Sequence, residues 1–340
     1  MSRLLLIGDT SLPEALGSKL IRGAESLGAA RNWRISTSYH SPATNYSPSM
    51  ARTRGKIFYR LSDKRSWEWW GFQTLLLEQI RKLKPDLVLV TGVLPLDNKI
   101  FEAVRRQKGK IVNYLTDDPW NPIHKRRSFL KNVPEYDHIF STKKQLIARL
   151  KKTGTLTSSW LPFAYDPELH YKVESSSGSD VLFVGTGAHE RLPWLEAVAK
   201  VPGITRRLHG NSWHGIHTPG WEQKPAVTGI DYCHAIKGAK VVLGLLREAN
   251  GDQSTDRSYE IGAIGGCGLY QDTNEHRELL RDYPDQGFFR NPTELAIRIK
   301  EVLGNTALQQ RLRTVGEKAI RKPENTYAAR LQSILRWAEQ

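Results

Sequence analysis

Cysteine is almost missing: Cys233 and Cys267 are the only two in a chain of 340 residues. Two thiols build neither a disulfide framework nor a thiolate zinc site, so a reducing cytoplasm is the expected compartment. Long apolar runs are missing too. No window offers the roughly 18 uninterrupted apolar residues of a membrane-spanning helix, and the stretch from Arg3 to Gly8 is too short for the apolar region of a secretory leader. A peripheral seat on the inner face of a membrane stays open. His189, His209, His214, His217 and His234 lack metal-ligand spacing, and no nucleophilic Ser or Cys elbow is evident. Neither a resident metal nor an organic cofactor is therefore expected.

Acidic residues are scarce in one half only. Residues 1–165 carry 28 Lys and Arg against 13 Asp and Glu, whereas residues 166–340 carry 22 of each. The net charge of +15 belongs wholly to the first half. A solubility device would spread such charge; its segregation points to a polyanionic partner, either an anionic membrane surface, a polyanionic acceptor or DNA.

What is present is an alternation of strands and helices. The length predicts two domains of about 150 to 180 residues each. Strands are expected from Arg3 to Gly8, Asp86 to Val90, Lys110 to Leu115 and Asp137 to Ser141. Helices are expected at Glu14 to Leu27, Gly71 to Leu83 and Lys143 to Lys152. A passage rich in proline and serine, Leu161-Pro162 through Asp166-Pro167 to Ser175-Ser176-Ser177-Gly178, reads as an interdomain connection. The rhythm then restarts, with strands at Asp180 to Gly185, Arg207 to Gly210, Val241 to Leu245 and Gly268 to Tyr270. Helices close the chain at Pro292 to Leu303, Ala307 to Lys318 and Thr326 to Ala338. Such a βαβ rhythm predicts doubly wound parallel sheets, whose ligands bind beyond the carboxyl ends of the strands.

Four groups of residues are candidates for chemistry. Arg257 and Glu260 lie three apart on a short helix and share a face. With the Gly265-Gly266 turn they suit a nucleotide, the cation for phosphates and the carboxylate for ribose hydroxyls; the alternative is a surface ion pair beside a helix cap. Gly185, Gly187 and Arg191 follow a strand and precede a helix, an anion-binding arrangement without the spacing of the dinucleotide fingerprint. Asp117 and Asp118 stand just past a strand's carboxyl end, where one can take a proton from an acceptor hydroxyl, or both can merely form a turn. Finally, Arg52 to Trp70 interleaves cations with aromatics. Arg52, Arg54, Lys56, Arg60 and Trp67 suit an acceptor or another anion, at a lipid interface or on nucleic acid, unless the tryptophans simply pack beneath a loop.

The run from Arg247 to Gly266 with its RSYEI core, KPDLVLV at 84–90, NYLTDDPWNP at 113–122, LPFAYDPELH at 161–170, DVLFVG at 180–185 followed by Glu190-Arg191, and HGNSW at 209–213 together resemble the CgeB-like (spore maturation protein) group of bacterial glycosyltransferases. The resemblance implies a GT-B architecture, an α/β fold of two Rossmann-like doubly wound domains facing a central cleft. Residues 1–165 would bind the acceptor and 166–325 the nucleotide-sugar, with 326–340 a C-terminal helix returning to the first domain. It implies that Glu260 contacts the ribose and that Arg257 and Arg191 contact the diphosphate, near Gly185 and Gly187. A nucleoside diphosphate sugar is then the co-substrate, and no metal is required. Phage DNA β-glucosyltransferases show a similar order of signals, which makes Asp117 the candidate base. Ser254 and Asn325 stand where the family often has histidine. Asp252 to Glu260 mimics the E-x7-E pattern of retaining enzymes, leaving inversion and retention both open. Three functions follow: cell-surface glycan or glycolipid assembly, glucosylation of hydroxymethylated bases in DNA, or a catalytically silent nucleotide-sugar or nucleic-acid-binding protein.

Overall fold

In the computed structural model of the chain, residues 2–28, 33–40, 48–155, 157–174 and 178–340 are described. The Ser175 to Ser177 stretch of the expected connection lies outside them. The chain divides into two compact units, one of Met1–Pro162 with Tyr327–Gln340, the other of Phe163–Thr326.

The first unit runs β1 (Ser2–Gly8), α1 (Leu16–Ser26), β2 (Trp33–His40), α2 (Thr53–Leu61), α3 (Glu68–Leu83), β3 (Leu87–Thr91), α4 (Asn98–Arg106), β4 (Lys110–Leu115), α5 (Arg127–Asn132), β5 (His138–Ser141), α6 (Lys144–Lys152) and β6 (Ser158–Trp160). Its sheet has the order β2-β1-β3-β4-β5-β6, with every neighbouring pair parallel. All five residues of β3 are buried, as a strand covered by helices on both faces demands. Trp69, Phe72, Leu76 and Ile80 of α3 recur at helical spacing and pack into that core.

The second unit runs β7 (Val181–Val184), α7 (Leu192–Ala199), β8 (Arg206–His209), β9 (Glu222–Lys224), α8 (Gly229–Gly238), β10 (Val241–Gly244), α9 (Asp256–Ile264), β11 (Gly268–Gln271), α10 (Asn274–Leu279), β12 (Phe288–Phe289), α11 (Pro292–Leu303) and α12 (Thr306–Ile320). Its order is β12-β11-β10-β7-β8-β9, again all parallel. The chain therefore winds outward from β7 one way and restarts at β10 the other way. Local signals set the helix starts: the Asn291 and Asn305 side chains accept from Glu294 N and Leu308 N, both at 2.9 Å, and Pro292 opens α11 where its missing N–H costs nothing. Beyond the second unit, α13 (Tyr327–Ala338) packs on α1 in the first, at Gly23, where a Cβ would stand 2.9 Å from Ala328 N.

The fold class expected from the βαβ rhythm is the one observed, two doubly wound parallel sheets. Eight central strands fall where they are expected. The four that the pattern misses, β2, β6, β9 and β12, are the four sheet edges.

Candidate functional site

In the second unit the winding reverses between β7 and β10, which opens a crevice at the carboxyl ends of those two strands. Three arginines gather around it. Arg191 ends the short turn before α7, Arg247 follows β10, and Arg257 sits in the first turn of α9. Arg191 is only 7% exposed, donates to the Thr186 carbonyl and lies over the Phe183 ring at 5.1 Å. Its Nε has no hydrogen-bond partner and, among the described residues, no carboxylate pairs with it. Burial, then the like charge of Arg247 and after it that of Arg257, pull its guanidinium down to about 10, with Glu190 and Asp252 opposing in part, so it stays protonated at neutral pH. A buried cation crowded by cations is costly unless an anion joins it.

Arg257 is held from behind. Its Nε donates to the Val184 carbonyl at 3.1 Å, and its Nη1 donates to the Tyr232 hydroxyl at 2.9 Å and to Glu260. Burial opposes its charge, but Tyr232 and Glu260 raise its pKa above the ordinary arginine value. Glu260 itself faces inward, with its side chain 3% exposed. Its Oε2 accepts from Tyr232 at 2.9 Å and from Arg257, and its Oε1 lies 3.3 Å from His170 Nε2. Because His170 Nδ1 accepts from Asp166 N at 3.0 Å, the Nε2–H tautomer faces Glu260. The structure thus unites Arg257 and Glu260 as expected, but aims the carboxylate at internal donors.

The glycines need correcting. Gly265 (φ 83°) and Gly266 cap the carboxyl end of α9, about 13 Å along the helix from its first turn, so they lie at the amino edge of the sheet and not beside Arg257. A Cβ on Gly266 would meet Ile236 Cγ2 at 2.7 Å; close packing of the cap, not ligand approach, excludes a side chain there. Gly185 and Gly187 do sit at the crevice, yet their amides already donate to the carbonyls of His209 (2.9 Å) and Asn211 (2.7 Å). A Cβ on Gly187 would stand 2.2 Å from Ser212 O, and one on Gly185 would stand 3.3 Å from Arg191 Nη1. These glycines let two loops touch and let Arg191 lie flat; they do not expose their amides to an anion.

In the first unit the adjacent aspartates beyond β4 separate. Asp118 Oδ1 accepts from Trp120 N at 2.8 Å and closes a turn of its own loop. Asp117 is 24% exposed at its side chain, accepts from Thr116 Oγ1 at 3.2 Å and lies 3.5 Å from His124 Nε2. Segment 52–70 is pinned to the same loop. Lys64 donates to the carbonyls of Pro122 (2.6 Å) and Ile123 (2.8 Å), and Asp63 caps α5 through the amides of Arg127 and Ser128. Arg52, Arg54, Lys56, Arg60 and Trp67 are exposed, whereas Trp69 is 1% exposed and belongs to the core.

Pattern reading misses Arg247, Tyr232, His170 and His124. Arg247 could have been found from its place directly after a predicted strand, and His170 from its motif. Tyr232, inside α8, carries no signal. Ser254 donates to Glu275 at 2.6 Å, and Asn325 donates to the Ala319 and Ile320 carbonyls at the end of α12, so both departures from the family pattern are locally satisfied. Among the described residues, no group of three or more His, Cys, Asp and Glu is arranged to hold a metal, and no helix is long and apolar enough to cross a membrane.

A family model described as "Glycosyl transferase-like" matches residues 191–336. No curated protein matches in sequence. Among solved structures, a trehalose-6-phosphate synthase studied for glycosyl transfer with retention is similar over 100% of this chain and 99% of its own, at TM-score 0.65 and 12% identity. T4 phage BGT in complex with its UDP-glucose substrate is similar over 100% of both chains, at TM-score 0.59 and 12% identity; another structure of that protein holds UDP and Mn2+. A putative UDP-N-acetylglucosamine 2-epimerase from Listeria monocytogenes is similar over 99% of this chain and 97% of its own, at TM-score 0.58 and 14% identity. At such identities the likeness establishes the fold, which is GT-B.

Proposed function

We propose that this chain is a glycosyltransferase that moves a sugar from a nucleoside diphosphate sugar to a hydroxyl acceptor in bacterial cell-surface glycan or glycolipid assembly. The observation that carries the reading is Arg191, a buried guanidinium whose Nε has no partner and which, among the described residues, has no carboxylate within ion-pair distance, beside Arg247 and Arg257 at the crevice of the second sheet. A diphosphate supplies the missing anion. The match of residues 191–336 to a glycosyl transferase-like model supports the same reading. Within that class, the ordered motifs from KPDLVLV to RSYEI favour the CgeB-like group.

In the reaction, Asp117 accepts the proton of the acceptor hydroxyl as its oxygen bonds to the anomeric carbon. The bond from that carbon to the diphosphate breaks, and its electron pair leaves on the phosphate oxygen. Arg191, Arg257 and Arg247 stabilise the charge that develops there. We assign Glu260 chiefly to aiming Arg257, since a ribose hydroxyl would have to displace Tyr232 or His170 to reach it. With three cations at the crevice, turnover is expected to survive a chelator, although T4 phage BGT has been seen with Mn2+. The first unit would receive the acceptor, and its charge suits a polyanionic acceptor or an anionic membrane.

Transfer to hydroxymethylated bases in DNA is the second reading, favoured by a full-length likeness to a solved structure of the DNA-modifying enzyme β-glucosyltransferase and by the basic first unit. Titration calorimetry with a panel of nucleoside diphosphates and their sugars tests the main reading. Binding and slow donor hydrolysis are expected; a protein that binds none of them is not a glycosyltransferase. Sugar incorporation into hydroxymethylated duplex DNA would select the second reading.

A further inference from the structure

We propose that the outer face of α2, with the Trp67 and Trp70 rings beside it, is a docking face for an anionic lipid bilayer. The orientation of α2 follows from Gly55. A Cβ there would stand 1.9 Å from the Ser49 carbonyl oxygen, so this side of the helix is pressed onto the preceding turn. At about 100° per residue the opposite side carries Arg60, Ile57, Leu61 and Arg54 in one arc, with Phe58 at its margin. Phe58 leans on Trp67 and Trp70, with ring centroids 5.1 and 5.5 Å away. The result is a contiguous apolar patch in water: Leu61 is 83% exposed, Ile57 54%, Trp67 47% and Trp70 44%. Soluble surfaces seldom gather large apolar side chains in this way without a partner.

Charge names the partner. From Pro48 to Ser62 there is no Asp or Glu, and among the described residues none of Arg52, Arg54, Lys56 and Arg60 pairs with a carboxylate. The two acids of the segment are used internally. Asp63 caps α5, and Glu68 accepts from Ser49 N (2.8 Å) and Ser49 Oγ (2.6 Å). Cations therefore flank the patch, and within Pro48 to Trp70 no fully exposed acid interrupts them. Nucleic acid would use the cations and stack on the tryptophans, but it offers nothing to Ile57 and Leu61. A bilayer uses all three kinds of side chain. Aliphatics reach the acyl boundary, indoles sit at headgroup level, and the arginines meet lipid phosphates. A single short helix gives reversible attachment, which suits a chain in which no described helix crosses the membrane.

Flotation of the full-length chain with phosphatidylcholine vesicles, with and without phosphatidylglycerol, tests this without any sugar donor, so it stands or falls separately from the proposed reaction. Binding is expected to the anionic vesicles only, and to fade at high salt. Replacing Ile57→Ser and Leu61→Ser together should weaken partitioning about tenfold, and Arg54→Gln or Arg60→Gln about fivefold each. Exposed positions keep the fold intact, which circular dichroism checks. As a second readout, brominated lipid should quench tryptophan fluorescence, and Trp67→Phe with Trp70→Phe should remove that quenching. Equal binding to neutral vesicles, binding indifferent to Ile57 and Leu61, or capture of duplex DNA without vesicle binding would each overturn the proposal.

Discussion

At the carboxyl edge of the second sheet, Arg191 is buried, stacked on Phe183 and crowded by two further arginines. In the first unit, Arg52, Arg54, Lys56 and Arg60 stand in water along one helix. The same residue types serve opposite purposes. A buried guanidinium has lost its hydration and has a fixed direction, so it selects an anion of defined shape and lowers the energy of charge that develops there. Exposed cations keep their hydration and their freedom, so they favour any anionic surface and are weakened by salt. Net charge marks the first unit as the basic one, yet the more demanding electrostatic site lies in the neutral unit. Placement, not excess, makes that site.

The largest expected effect tests the division of labour. Asp117→Asn should lower kcat by about 10²- to 10⁴-fold while leaving affinity for the donor unchanged. Asp118→Asn should disturb a turn and cost far less. Equal losses in the two variants, with the fold intact, would remove Asp117 from its assigned role. Next comes Arg191→Ala, for which nucleoside diphosphate affinity should fall about 30- to 1000-fold. The ligand-free protein should melt no lower than the parent, because a like charge has left a crowded pocket. Arg60→Ala should leave donor affinity untouched. If Arg60→Ala weakens the donor as much as Arg191→Ala does, buried and exposed cations are not performing different work.

The same contrast decides how much was legible beforehand. Strands buried on both faces announce themselves: Leu87 to Thr91 is one apolar run, and so is Val181 to Val184. Edge strands do not, because they need only one partner and tolerate any residue. Glu222-Gln223-Lys224 is exposed throughout, and β12 is two phenylalanines long. In the site, Arg191, Arg257 and Glu260 could be read from their spacing around a strand end and on one helix. Which way Glu260 points could not, since that depends on Tyr232 and His170, 28 and 90 residues away along the chain. The glycines misled for a related reason. A glycine signals that something comes close; at Gly187 and Gly266 what comes close is the protein itself.

Each unit also has a buried imidazole that resists protonation, His138 in the first and His276 in the second. Burial lowers His138 and His276 to about 4 from 6.5; for His276 the Gln271 carbonyl opposes this only in part. Unfolded, each would take its proton near 6.5; folded, it resists until about 4. Stability is therefore fully present above about 6.5 and declines as pH falls toward 4, by up to about 3 kcal/mol for each group. His276 accepts from Ser258 Oγ at 2.7 Å, and Ser258 closes the capping box of α9. Acidification should accordingly loosen the helix that carries Arg257. Thermal unfolding followed across this range checks the slope, and a midpoint that does not move would contradict it.

The smallest expected effect separates aiming from contact. Tyr232→Phe removes one hydroxyl, which donates to Glu260 and accepts from Arg257. The ring stays, so the packing of α8 and the cation–π contact at 4.7 Å survive. Glu260 keeps His170 and Arg257 as donors, so its charge is still met. What changes is the direction of the guanidinium, which loses an acceptor at 2.9 Å and can swing toward the carboxylate. If Arg257 acts on the donor's phosphates, KM for the donor should rise about tenfold with little change in kcat, the cost of one charge-assisted hydrogen bond. If Glu260 instead binds the ribose directly, freeing its Oε2 from the phenol should strengthen donor binding. The sign of the change in KM therefore tells whether the buried carboxylate serves the sugar donor through the arginine or touches it.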